Sequence, residues 1–166
     1  MLLLAIFCLT SISLIVNHLL ENPPPTFFQF TGKMILNVPF VKQKPWFCSE
    51  ASASMVLKYY GINLSQDEIH ALGYECFEDM LPLLRSFLNC SYRELDLEGV
   101  KKEIDEGDPI IARLKVNGFL HTVVIVGYEG KFIVVHDPAI GPYVRCEIRD
   151  FLSKWTYTNF IAIVFD

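Results

Sequence analysis

The first twenty residues, MLLLAIFCLTSISLIVNHLL, carry no charged side chain and are apolar around every face a helix would present. Their length is close to the ~20 residues that a bilayer-spanning helix needs. A cleaved signal peptide is the competing reading, because Leu2 to Val16 has about the length of a signal h-region. No basic n-region precedes that run and no small-x-small cleavage site follows it. An uncleaved membrane anchor over residues 1–22 is therefore expected, with the rest of the chain on the extracytoplasmic side; secretion after cleavage is the alternative. Pro23, Pro24 and Pro25 stiffen a linker over residues 23–32, and one folded domain is expected over 33–166.

Within that domain, Ile35 to Val41 has the pattern of a short extended segment, which Pro39 confines to a sheet edge or a strand end. From Cys48 to Tyr60 the text CSEASASMVLKYY predicts a helix, with Ala51, Met55 and Tyr59 in one stripe behind Cys48 and Gly61 as its stop. Ser49, Ala51, Ser52, Ala53 and Ser54 are small enough to let another element approach closely. Ser65 and Glu68 form a capping box for a second helix that ends at Gly73. Two more amphipathic helices fit Asp79 to Leu88 and Glu98 to Glu106, the latter stopped by Gly107. The period then changes to two. Pro109 to Val116, Leu120 to Tyr128, Lys131 to His136, Tyr143 to Arg149 and Asn159 to Phe165 read as strands, with a helical turn around Asp150 to Trp155. Helices followed by an antiparallel sheet make an α+β fold.

Composition narrows the partners. With 52% hydrophobic and 20% charged residues in 166, the chain can close its own core and is not disordered. Fourteen Lys+Arg against nineteen Asp+Glu give a formal charge of −5, and no basic cluster offers a phosphate backbone a footprint; no nucleic-acid partner is expected. The five cysteines (Cys8, Cys48, Cys76, Cys90, Cys146) show no CxxC or Cys/His ligand spacing, so no metal is expected.

The chemistry gathers around Cys48. At a helix start its thiol meets unpaired N–H groups and the positive end of the dipole, which favour a thiolate. His121 and Asp137 lie on the two arms of a hairpin. A three-residue loop Tyr128-Glu129-Gly130 sets His121 opposite Asp137 on one sheet face, so that the carboxylate orients the imidazole. A two-residue Glu129-Gly130 turn instead sets Thr122 opposite Asp137 and sends His121 to the other face. Gln43, on the loop entering the Cys48 helix, has an amide able to donate to an oxyanion together with the Cys48 N–H. Trp46 and Phe47 would wall such a cleft. His136 points away from this face, His70 falls on a polar helix surface and His18 in the anchor. Cys76, Cys90 and Cys146 read as packing residues, with a Cys76–Cys90 disulfide open in an oxidising space.

Taken together, VPFVKQKPWFCSEASASMVLKYYG and GDPIIARLKVNGFLHTVVIVGYEGKFIVVHDPAIG resemble the bacteriocin-processing, double-glycine leader peptidases, and most closely the stand-alone peptidase-like branch of that papain-like cysteine peptidase family. The resemblance runs from about Ile35 to Trp155. In that family a Gln precedes the nucleophilic Cys, a His opens a strand ending in a Gly-aromatic pair, and an Asp-Pro follows on the next strand. Those elements fall on Gln43, Cys48, His121 and Asp137. The resemblance implies a papain-like α+β fold, hydrolysis of a peptide or protein substrate through a Cys48 thioester, and no cofactor. Two features depart from the family: Ser49 stands where Gly usually follows the nucleophile, and no exporter span or ATPase follows the domain. A silent peptide-binding module of the same fold, and a thiol acyltransferase or amidohydrolase, are the alternatives.

Overall fold

The computed structural model describes residues 29–166; the expected anchor at 1–22 lies outside the described residues. Among the described residues, no helix is long and apolar enough to cross a membrane. Among the described residues the first buried side chain is Phe30, 8% exposed against Tyr128, so packing reaches back into the 23–32 segment.

The elements follow in the order β1 (Lys33–Ile35), α1 (Cys48–Tyr59), α2 (Gln66–Ala71), α3 (Phe77–Arg85), β2 (Cys90–Glu94), α4 (Leu97–Glu106), β3 (Ile110–Val116), β4 (Phe119–Glu129), β5 (Phe132–Asp137), β6 (Gly141–Glu147), α5 (Ile148–Trp155), a 3-10 turn (Thr156–Thr158) and β7 (Ile161–Phe165). One antiparallel sheet runs β2-β7-β3-β4-β5-β6, and β1 adds to β4. The α+β architecture expected from the sequence is the one observed.

Local chemistry explains most boundaries. Ser65 and Glu68 close the expected capping box of α2, and the Asp96 carboxylate caps α4, which Gly107 ends at φ 97°. The extended segment at 35–41 is shorter than expected as a strand. After Ile35 the Leu36 N–H still bonds the Val126 carbonyl at 2.7 Å, but the chain then leaves the sheet ahead of Pro39, which has no N–H to give. β2 was not expected. It is an edge strand of five residues with only Cys90 buried, which leaves no clear alternation in its sequence.

α1 lies directly on β4. Ser49, Ala51, Ser52, Ala53 and Ser54 are all buried, and the close approach is sealed by Ser49 Oγ against Thr122 Oγ1 at 2.9 Å and by Ser52 Oγ donating to the Thr122 carbonyl at 3.3 Å. Behind Cys48, Ala51 and Met55 are fully buried, and the Tyr59 hydroxyl reaches the Gly107 carbonyl at 2.8 Å.

Candidate active site

The hairpin that carries His121 and Asp137 uses neither of the two loops expected. Glu129 pairs with Phe132, so the loop is the two-residue Gly130-Lys131, with Gly130 at φ 54°. Continued without interruption, that register would place His121 and Asp137 on opposite faces. A bulge between Ile125 and Gly127 restores the match: beyond it Ile125 faces Val135 and Val124 faces His136. Asp137 therefore stands on the His121 face, displaced along the strand, and reaches the imidazole diagonally, with His121 Nε2 at 2.8 Å from Asp137 Oδ1.

The bulge has a second constraint. β1 pairs antiparallel with β4 there, Ile35 opposite Gly127, and a Cβ on Gly127 would lie 2.3 Å from the Met34 carbonyl oxygen and 2.9 Å from Ile35 Cα. Only glycine permits this approach, which gives the Gly127-Tyr128 pair a structural reason.

Cys48 opens α1, as expected from the sequence. Phe47 occupies the N-cap position and supplies no capping hydrogen bond. Burial pushes the Cys48 thiol up, but hydrogen bonding from His121 and from the Thr122 N–H and hydroxyl, with the His121 charge, brings it below its usual value. Burial opposes the charged form of His121, yet the bonds and charges of Asp137 and Cys48 raise it to about 9. Asp137 is pushed up by burial and pulled lower overall by His121 and the N–H groups of Ala139 and Ile140. With Nε2 committed to Asp137, Nδ1 is the ring nitrogen left for sulfur. An acid shifted down beside a base shifted up is the electrostatic pattern of a thiolate–imidazolium pair. Burial moves the other described thiols, Cys76, Cys90 and Cys146, the opposite way. Those three are free: Cys76 bonds the Asp79 carboxylate at 3.1 Å and Cys90 is buried, so the Cys76–Cys90 pairing is not formed.

Gln43 sits beside this set. Its N–H donates to the Pro138 carbonyl at 3.0 Å, which ties its loop to the turn after Asp137, and its Oε1 is buried without a partner among the described residues. A residue that sequence reasoning missed holds the loop from the other side. Gln66, the first residue of α2, donates to the Lys42 carbonyl at 2.8 Å and accepts from the Lys44 N–H at 2.9 Å, bracketing Gln43. No local pattern announces such a clamp, because its partners are more than twenty residues away.

Gln43, Cys48, Ser49, His121 and Asp137 all line one groove of about 580 Å³. Its rim is aromatic. Trp46 and Phe119 are 80% and 66% exposed, with ring centroids 6.4 Å apart. His136 faces away, as expected. It is fully buried, with Nε2 donating to the Val38 carbonyl at 2.9 Å and Nδ1 accepting from the Tyr143 N–H at 3.1 Å. The described residues gather one acidic cluster, Glu103, Glu106 and Asp108, outside the groove. Arg93 and Lys102 pair with its glutamates and the Tyr60 hydroxyl with Asp108, which leaves a cation little to bind.

The model of the Peptidase_C39 like family matches residues 35–163. The chain belongs to this family. Three solved structures share the family's papain-like fold. A C39-like peptidase from Bacillus anthracis has a TM-score of 0.71 at 18% identity, covering 82% of this chain and 98% of its own. A double glycine motif protease from an AMS/PCAT transporter, solved with its leader peptide, has a TM-score of 0.65 at 24% identity, covering 83% and 97%. The peptidase domain of Streptococcus ComA, a bi-functional ABC transporter of a quorum sensing pathway, has a TM-score of 0.63 at 19% identity, covering 78% and 98%. No curated protein matches the chain. Ser49, the departure from the family's glycine, turns its hydroxyl onto Thr122 and is 4% exposed.

Proposed function

We propose that the chain is a cysteine peptidase that cleaves peptide bonds through Cys48. The observation that carries this reading is the His121 Nε2 to Asp137 Oδ1 bond at 2.8 Å, which leaves Nδ1 for a thiol shifted toward its ionised form. The Cys48 thiolate attacks the substrate carbonyl carbon, and the oxyanion is held by the Cys48 N–H and the Gln43 amide. As the C–N bond breaks, imidazolium His121 gives its Nδ1 proton to the leaving amine. Water then attacks the thioester, His121 takes its proton, and the acid leaves with the thiolate restored. Asp137 keeps the ring turned and stabilises its charge throughout.

A peptide substrate is supported by the groove's shape and by the leader peptide bound to the AMS/PCAT protease. Processing of leader-type or other peptides at a membrane surface belongs to the same proposal. It rests on the apolar run of residues 1–20. Phe30 joins the sheet beside Gly130, at the end of β4 away from His121. Eight residues of strand separate Glu129 from His121, or roughly 27 Å.

The test is cleavage of a mixed peptide library by the full chain, with products and any thioester-linked enzyme identified by intact mass. Cleavage that disappears with Cys48→Ala supports the reading. Equal product patterns from wild type and Cys48→Ala, or none from either, reject it.

A further inference from the structure

The start of α1, like that of α5, has no side-chain cap. α2 and α4 begin with Ser65 and Asp96, whose side-chain oxygens accept first-turn N–H groups, whereas α1 begins after Phe47, which has no such oxygen. A Ser or Asp at that position would stabilise the helix, and it would do so by occupying the N–H of Ser49 or Glu50. Instead the Phe47 ring stacks on His70 of α2, with centroids 4.3 Å apart and planes at 24°. His70 Nδ1 lies 3.1 Å from Glu50 Oε1, and Glu50 is in the first turn of α1 itself. The contacts therefore close a ring from Phe47 through His70 to Glu50 and back to the helix that Phe47 begins.

Glu50 is an expensive residue to keep there. It is 1% exposed, its Oε2 has no partner among the described residues, and burial, with Glu75 nearby, shifts its carboxyl up despite the bonds from its own N–H and from His70. Because Glu50 takes its own N–H, the first-turn N–H groups left over are those of Cys48 and Ser49. We propose that Phe47, His70 and Glu50 form a staple that fixes the first turn of α1 without a capping side chain, leaving the Cys48 and Ser49 N–H groups free for the sulfur and the oxyanion. The inference rests on the peptidase reading above. His70 and Glu50 act as positioning residues, through Phe47 and the helix start.

Iodoacetamide alkylation of Cys48 in the full chain, resolved by site with mass spectrometry between pH 4 and 9, tests this. His70→Ala removes both contacts and Phe47→Leu removes the stack; each should raise the pH midpoint of Cys48 alkylation by about one pH unit, a tenfold loss of thiolate at fixed pH. Glu50→Gln keeps a bond to His70 and should leave that midpoint near the wild-type value while raising the melting temperature. Folded His70→Ala or Phe47→Leu with an unchanged midpoint overturns the staple, and Phe47→Leu decides alone if His70→Ala does not fold. An ordinary thiol midpoint in the wild type overturns the peptidase reading and the staple together, and that result is read before any variant is made.

Discussion

Asp137→Asn isolates the charge of the pair from its geometry. Asp137 Oδ1 accepts from His121 Nε2 at 2.8 Å, from the Ala139 N–H at 2.9 Å and from the Ile140 N–H at 3.2 Å. Asparagine keeps an oxygen for those three donors and loses only the charge. In the native protein His121 is lifted from 6.5 to about 9 against burial, which corresponds to about 3 kcal/mol favouring the imidazolium. Asp137 and Cys48 share that lift and together also offset burial, so ~3 kcal/mol sets the scale of the effect of Asp137. At pH 7 the variant should lose peptide-cleavage efficiency by roughly 10- to 300-fold, in step with its loss of thiolate. The stability signature has a definite sign. His121, raised in the fold, contributes fully below 6.5 and loses its contribution as pH rises through about 9. Asp137, lowered in the fold, contributes above 3.8 and loses it as pH falls through its lowered value. The wild type should therefore exceed the variant most between pH 3.8 and 6.5, with the gap closing at both ends. NMR titration of the His121 ring, with urea unfolding across pH, measures both. A variant whose His121 still titrates near 9, with cleavage within about threefold of wild type, would refute the charge argument.

Gln43→Ala should lower kcat about 10²- to 10³-fold with little change in KM, as expected for a donor used only by the oxyanion; an effect confined to KM in steady-state kinetics would assign Gln43 to substrate binding instead. Ser49→Gly deletes the bond to Thr122 and adds a glycine inside α1, costing about 1–2 kcal/mol in chemical denaturation without raising kcat/KM; a faster enzyme would mean that the serine crowds the substrate. Gly127→Ala drives a Cβ into the Met34 and Ile35 backbone and should cost about 1–3 kcal/mol, seen as a lower melting temperature; an unchanged melt would show that β1 yields freely.

Much of this was legible because local signals agreed. α2 and α4 carry caps and stops that need no tertiary knowledge, and α1, which has no side-chain cap, shows itself by the buried stripe behind Cys48 and the glycine just past its end. The strands β3, β4 and β5 are buried along most of their length and read as continuous β-branched runs. The partnership of His121 with Asp137 was reachable, but not its register. A turn one residue further along and a bulge beside Gly127 offset each other, and the bulge lies where β1 pairs with β4, a contact between segments some ninety residues apart. β2 was missed because an edge strand buries too little to impose a period. His70 lies on a short helix whose sequence reads as polar, and only the fold turns its ring onto Phe47. Gln66 likewise gains its meaning from the loop it clamps.

The claim at the centre is that Cys48 and His121 form an ion pair in the resting protein. The most direct measurement is the rate of Cys48 alkylation between pH 4 and 9 in the reduced full chain, compared with His121→Ala. The account predicts that wild-type Cys48 reacts well below the ~8.5 of a free thiol and that the substitution abolishes this advantage. Slow reaction with an ordinary thiol profile, whatever residue occupies position 121, would contradict it.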